Sequence, residues 1–319
     1  MSKSETPKVG FTDFEQFSWD DRLEADCQAI VELARQEDLG EAGDWTTNGL
    51  VSEESRGSAT VVTREEGVLA GVAAIETCLG TLDADLKWQP LLKDGDPCKA
   101  GQSLGELSGK VRDLLSYERI LLNLVGRLSG IATLASEYVA RVEGTQARIY
   151  DTRKTTPGWR RLEKFATRCG GACNHRTGLF DAVMIKDNHL AHFRASTGSG
   201  NGGPRTAEAV TVIRKYLENE ALGASIPIEI EVDTITQLEA VLPVQPDIVL
   251  LDNMSLENLR SAVALRDEKS PSVQLEASGG VTLETLRQIA ETGVDRISVG
   301  ALTHSACSLD IGLDWNSVG

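Results

Sequence analysis

The sequence predicts an α/β protein built on a parallel sheet, and three observations carry that prediction. From residue 147 onward, short apolar runs alternate with amphipathic segments long enough to be crossover helices, the connection that parallel strands require. Polar residues or glycines follow run after run, and in parallel α/β folds that edge is where ligands gather. The 319-residue chain is 41% apolar and 25% charged, an ordinary balance for a packed core, and its length favours two domains.

The elements follow in chain order. Residues 1–20 read as an arm with scattered aromatics, Phe11, Phe14, Phe17 and Trp19. Asp20 or Asp21 is placed to cap a helix in which Leu23, Cys27, Ile30 and Leu33 or Ala34 recur at helical spacing, and Gly40 should end it. β-like runs follow at Ala59–Thr63, at Val68–Ala70 and through a glycine-punctuated stretch from Leu86 to Leu107. Asp113 to Val142 reads as one long helix, and its Gly126, Ser129, Gly130 and Ala132 predict close packing against a neighbour. The strands then read Ala147–Tyr150, Ala182–Ile185, Ile228–Val232, Ile248–Leu251, Val273–Glu276 and Arg296–Val299. Helices fall near 158–168, 207–220, 234–242, 255–265 and 282–292, and Ser196–Pro204 reads as a surface loop. By periodicity alone the sheet is either a barrel or doubly wound.

Composition narrows the function. A formal net charge of −16 argues against nucleic acid or an anionic membrane as the main partner. No apolar run reaches the roughly 18 residues a membrane helix needs. Met1–Gly10 lacks the apolar core of a secretory signal, and the six cysteines read as reduced thiols, so a cytoplasmic location is expected.

Against that acidic background, Arg148–Lys186 holds nine basic residues and three acidic ones. Arg160, Arg161, Lys164 and Arg168 read as a solvated helix face. Arg153, Lys154, Arg176 and Lys186 flank strands or lie in loops, where arginine forks suit carboxylates and lysine suits phosphate. Ser278-Gly279-Gly280 and Gly300-Ala301 follow the last two strands, where backbone amides can cradle a phosphate. Glu231 and Asp252 stand at strand ends, able to hold Mg²⁺ or sugar hydroxyls; a helix N-cap is the other reading of Asp252. Cys169, Cys173 and His175 lack a second ligand pair at zinc spacing, so His175, beside Arg176, reads as a substrate contact.

Several strings, in this order, resemble the quinolinate phosphoribosyltransferase family: EDLGEAGDWTT (37–47), YERILLNLVGRLSGIAT (117–133), DTRKTTPG (151–158), GGACNHRTGLFDAVMIKDNH (170–189), IEIEVDT (228–234), LLDN (250–253), ASGG (277–280) and ISVGALTHS (297–305). The resemblance spans about residues 30–318. It implies an incomplete parallel α/β barrel with an N-terminal open-faced α/β sandwich domain. The expected layout is an arm (1–20), a sandwich domain (21–130) onto which the tail 302–319 packs, and a barrel domain (131–301). The implied reaction joins quinolinate to phosphoribosyl pyrophosphate with Mg²⁺, giving nicotinate mononucleotide, CO₂ and pyrophosphate in de novo NAD synthesis.

Carried over by motif, Arg153, His175 and Arg176 bind the quinolinate carboxylates, and Lys154 and Lys186 hold substrate anions. Glu231 and Asp252 hold ribose hydroxyls and metal, while Ser278, Gly279 and Gly300 sit at the 5′-phosphate. Lys154, Lys186, Glu231 and Asp252 are then the catalytic set. The family assembles as a homodimer or a dimer-based hexamer, with Arg119 reaching the neighbouring subunit's site. The arm and the 196–204 loop extend beyond the compact family pattern. Three rival readings remain: a paralogous phosphoribosyltransferase with another base, including one associated with molybdate transport, a Schiff-base aldolase using Lys186, and a non-catalytic phosphosugar-binding protein.

Overall fold

The computed structural model describes residues 13–196, 205–220, 222 and 226–316. The 196–204 loop lies outside them from residue 197 on, as does the arm before residue 13. The chain forms two compact units that interleave along the sequence. One comprises Met1–Glu15, Ala140–Arg153 and His175–Val299, the other Gln16–Val139, Lys154–Asn174 and Gly300–Gly319. Elements are numbered in chain order.

The second unit holds an antiparallel sheet in the order β12-β1-β5-β3, formed by Ile311–Trp315, Arg56–Thr63, Ser103–Lys110 and Leu86–Pro90. Its helices are α1 (Asp21–Leu39), α2 (Trp45–Leu50), α3 (Val72–Thr81), α4 (Val111–Arg141), α5 (Arg160–Cys169) and α11 (Ala301–His304). A small ribbon pairs β2 (Gly67–Val68) with β4 (Pro97–Cys98). Of the two candidate caps for α1, Asp20 does the work: its carboxylate accepts from the amides of Arg22 and Leu23. Gly40, with φ 52°, ends the helix.

The core of this unit draws Val61 from β1, Leu104 and Leu107 from β5, Ile75 and Leu79 from α3, and Leu121, Leu124, Val125 and Leu128 from α4. Each fully buried aliphatic of this kind contributes about 1.5–3 kcal/mol of transfer free energy. The small residues of α4 have a specific neighbour. A Cβ on Gly130 would run into the Cys307 carbonyl, and the Leu309 amide donates to the Gly126 carbonyl at 2.9 Å. The C-terminal segment thus lies against the α4 backbone and leads into β12, which pairs with β1 from Ala59↔Trp315 to Thr63↔Ile311.

One expectation fails here. Lys164 is fully buried, so α5 is not a solvated basic face. The reason is that α5 packs against both α1 and α11, with Leu162 and Ala166 in the core, leaving no free side for the whole basic set. Arg161 pairs with Asp26 at 2.9 Å, and Arg168 donates to the Ala172 carbonyl at 2.8 Å.

The first unit is the parallel α/β layer. Six strands run in the order β6-β11-β10-β9-β8-β7: Arg148–Tyr150, Arg296–Ser298, Gln274–Ser278, Ile248–Asp252, Ile228–Val232 and Val183–Ile185. All five pairings are parallel, and among the described residues β6 and β7 are its two edges. The helices are α6 (Asp187–Ser196), α7 (Thr206–Asn219), α8 (Ile235–Val241), α9 (Leu256–Lys269) and α10 (Leu283–Ala290). Thr234 and Thr282 open α8 and α10 with capping boxes. The fold is therefore α/β, with the expected parallel sheet and an antiparallel α/β unit beside it in the sequence. Among the described residues no helix is long and apolar enough to cross a membrane.

Gly130→Ala is expected to cost about 1–3 kcal/mol, because the added methyl meets backbone and not a movable side chain. The midpoint of chemical denaturation reads this out; an unchanged midpoint would mean that the C-terminal segment does not lie against α4.

A candidate anion-binding active site

Five of the six parallel strands deliver polar residues at one edge, the carboxyl ends. Tyr150 leads to Asp151 and Arg153, Ile185 to Lys186, Leu251 to Asp252, and Ala277 to Ser278 and Gly279, while Glu231 lies within β8. In the β9–β10 register Asp252 stands opposite Ser278. The turn after Ser278 depends on glycine: Gly279 has φ 92°, and a Cβ there would strike the Asn253 amide side chain.

Below this edge, the interior of the unit is charged. Glu229 on β8 and Glu276 on β10 are both fully buried, and the His175 imidazole lies near both, with Nε2 at 3.1 Å from Glu229 and 3.4 Å from Glu276. These are ion-pair distances without the angles of a formed hydrogen bond. Burial depresses the imidazole pKa, but the two carboxylates outweigh it and raise it to about 9. The other ring nitrogen pulls the opposite way, since Nδ1 accepts the Arg176 amide at 2.8 Å. With Nδ1 serving as an acceptor, the ring proton is the one on Nε2, facing the carboxylates. A second proton has to displace the Arg176 amide. Asp151, fully buried, accepts the His175 amide at 2.8 Å and so fixes the backbone here.

Glu276 is matched on its other side by Arg296, its Cα neighbour on β11, whose Nε donates to it at 2.8 Å. Burial would raise the Glu276 pKa, but His175 and Arg296 hold it down at about 2. Arg296 in turn donates to Asp13 at 2.9 Å.

Arg176 is buried, with one guanidinium nitrogen donating to the Ala182 carbonyl at 3.0 Å. Its Nε has no acceptor among the described residues. Burial and the like charge of Arg153 lower its proton affinity, against which Glu229 and Asp181 act. Two guanidiniums that sense each other's charge, one with a buried Nε donor, have the chemistry that suits a multiply charged carboxylate.

Glu231, Asp233 and Asp252 present carboxylate oxygens all within 4.8 Å of one another. Burial raises the Glu231 pKa, Lys186 at 3.3 Å opposes that rise, and the charges of Asp252 and Asp187 add to it. Hard oxygen donors that repel one another suit a divalent cation such as Mg²⁺. Cys169 and Cys173 carry free thiols, and among the described residues no cysteine joins a group of potential metal ligands.

The structure thus brings Arg153, His175, Arg176, Lys186, Glu231, Asp252, Ser278 and Gly279 together in the parallel unit. Lys154, Gly300 and Arg119 belong to the other unit. There Thr303 donates to the Lys154 carbonyl at 2.7 Å, and the Lys154 side chain runs beside Gly300. Arg119 is exposed on α4. Sequence reasoning missed Asp13, Asp151, Glu229, Asp233, Glu276 and Arg296. The signal for Glu229 and Glu276 was present, because each acid sits between apolar neighbours inside a strand (Ile228 and Ile230, Leu275 and Ala277) and there needs a buried partner.

Comparison with known proteins agrees with this chemistry. The family model described as quinolinate phosphoribosyl transferase, N-terminal domain, matches residues 44–129, and that for the C-terminal domain matches 131–314. The chain is 42% identical over 286 residues to the nicotinate-nucleotide pyrophosphorylase (carboxylating) of Mycobacterium leprae, covering 89% of this chain and 95% of that protein. It is 37% identical over 300 residues to the quinolinate phosphoribosyltransferase (decarboxylating) 1b of Nicotiana tabacum, covering 90% and 82%. The solved nicotinate-nucleotide pyrophosphorylase of Francisella tularensis superposes with a TM-score of 0.83 at 34% identity, covering 95% of this chain and all of that one.

Proposed function

Because this chain belongs to the quinolinate phosphoribosyltransferase family, we propose that it transfers the phosphoribosyl group of phosphoribosyl pyrophosphate to quinolinate with decarboxylation. The products are nicotinate mononucleotide, CO₂ and pyrophosphate, and the place of the reaction is de novo NAD synthesis. The observation that supports this reading best is the pairing of Arg153 with the buried Arg176 beside His175, in a chain whose net charge is −16. A strongly acidic protein that concentrates guanidiniums at one strand edge is built for a polyanion.

Arg153, Arg176 and His175 take the two carboxylates of quinolinate and orient its ring. Lys154 and Lys186 take the charge of the pyrophosphate as it leaves, and Ser278, Gly279 and Gly300 serve the 5′-phosphate. Departure of pyrophosphate leaves an oxocarbenium-like ribose, which the carboxylates of Glu231 and Asp252 stabilise while accepting from its hydroxyls. The pyridine nitrogen attacks that carbon and becomes a pyridinium. Its positive charge stabilises the carbanion formed as the 2-carboxylate departs as CO₂, and the carbon is then protonated. No side chain forms a bond to substrate. Glu231, Asp252 and the neighbouring Asp233 would hold Mg²⁺, which supplies neutralising charge for the pyrophosphate. The protein acts in the cytoplasm as a homodimer or dimer-based oligomer in which Arg119 serves the neighbouring subunit.

Labelled CO₂ release from carboxyl-labelled quinolinate tests the reaction. It should require both phosphoribosyl pyrophosphate and Mg²⁺, with equimolar nicotinate mononucleotide; absence of release from the folded protein would overturn the proposal. Arg176→Ala should weaken quinolinate binding by about 10- to 100-fold, the loss of charge-assisted hydrogen bonds, with a smaller effect on phosphoribosyl pyrophosphate. Calorimetric titration with each substrate decides this, and equal weakening of both would remove Arg176 from the carboxylate site.

A further inference from the structure

The family models begin at residue 44, yet two residues far upstream are built into the interior of the parallel unit. The Asp13 carboxylate accepts from the Tyr150 hydroxyl at 2.6 Å and from Arg296 at 2.9 Å, and pairs with Arg148 at 3.3 Å. Phe14 is 5% exposed and packs with Ala182 and Ile248. Its ring centroid lies 4.4 Å from that of His175, the planes 33° apart. The Arg296 guanidinium lies 5.0 Å from the Phe14 ring centroid and 3.6 Å from that of Tyr150.

These contacts do more than fasten a chain end. An imidazole is placed by its two nitrogens and by its faces. The Arg176 amide takes Nδ1, the carboxylates of Glu229 and Glu276 lie by Nε2, and Phe14 takes a face. Glu276 is itself held by Arg296, and Arg296 by Asp13. A side chain held at both ring nitrogens and on one face is what a binding site needs in order to present one geometry.

We infer that Asp13 and Phe14 are positioning residues for His175: Phe14 sets the plane of the imidazole, and Asp13, through Arg296 and Glu276, sets the carboxylate that faces Nε2. Asp13 and Phe14 thereby shape the quinolinate site through His175. The inference rests on the reading that His175 contacts quinolinate.

The test uses the full chain with Phe14→Leu, Asp13→Asn and Asp13→Glu, and with His175→Asn as the reference. Phe14→Leu should raise the KM for quinolinate about 2- to 10-fold, the worth of one aromatic contact, and leave the KM for phosphoribosyl pyrophosphate within about 2-fold. Asp13→Asn should act in the same direction, and Asp13→Glu should recover part of the loss. His175→Asn should raise the quinolinate KM at least as far. If His175→Asn does so while Phe14→Leu and Asp13→Asn only lower the unfolding temperature, the arm is a structural strap and the inference is overturned, with the His175 reading intact. If His175→Asn leaves the quinolinate KM unchanged, the reading beneath the inference fails and takes it down. Should Asp13→Asn not fold, Phe14→Leu, which keeps an apolar group in place, decides the matter alone.

Discussion

Arg296 is a guanidinium with 1% of its surface exposed, inside a β-sheet. Removing such a charge from water costs several kcal/mol, and the cost is offset only when good partners surround it. Arg296 has them: Glu276 from the adjacent strand, Asp13 from the arm, and the ring faces of Phe14 and Tyr150. Much of the parallel unit's interior follows from satisfying it. Glu276 is pulled to one side by Arg296, which leaves its other oxygen toward His175. His175 is drawn between Glu276 and Glu229, and its backbone amide is taken by Asp151.

This buried layer differs from the edge above it. Charges of like sign lie close together there: Arg153 near Arg176, and Glu231 beside Asp233 and Asp252. Like charges held close raise the free energy of the empty site, and a ligand of opposite sign relieves it. The strand edge therefore holds a cationic part and an anionic part, with Lys186 paired to Glu231. The reaction needs both, because its substrates bring carboxylates, phosphates and a ribose.

The parallel strands were legible because buried parallel strands are near-continuous apolar runs, and the IVLL run at Ile248–Leu251 forms all but the last residue of β9. Other elements carried no such signal. Helix α3 opens after Gly71 without a side-chain cap of its own; Asp94, 23 residues downstream, accepts from the amides of Gly71 and Val72 instead. Strand β12 reads IGLDW, too short and mixed to announce itself until β1 supplies its partner. Lys164 reads as part of a solvated basic face and is buried, because hydropathy does not say how many sides of a helix are covered. At the site, residues following strands could be read from position, whereas Glu229, Glu276, Arg296 and Asp13 act through partners distant in sequence. Asp13 and Arg296 are 283 residues apart.

The measurement that bears most directly on the charged interior is a double-mutant cycle on Arg296 and Glu276, followed by equilibrium unfolding and by quinolinate binding. Arg296→Met alone should cost about 3–5 kcal/mol, because it leaves the buried Glu276 carboxylate without its guanidinium partner. Adding Glu276→Gln should recover a large part of that stability, with quinolinate binding still weakened because His175 has lost a partner. Additive losses in stability, or quinolinate binding that ignores both substitutions, would contradict the view that this pair sets the geometry of the site.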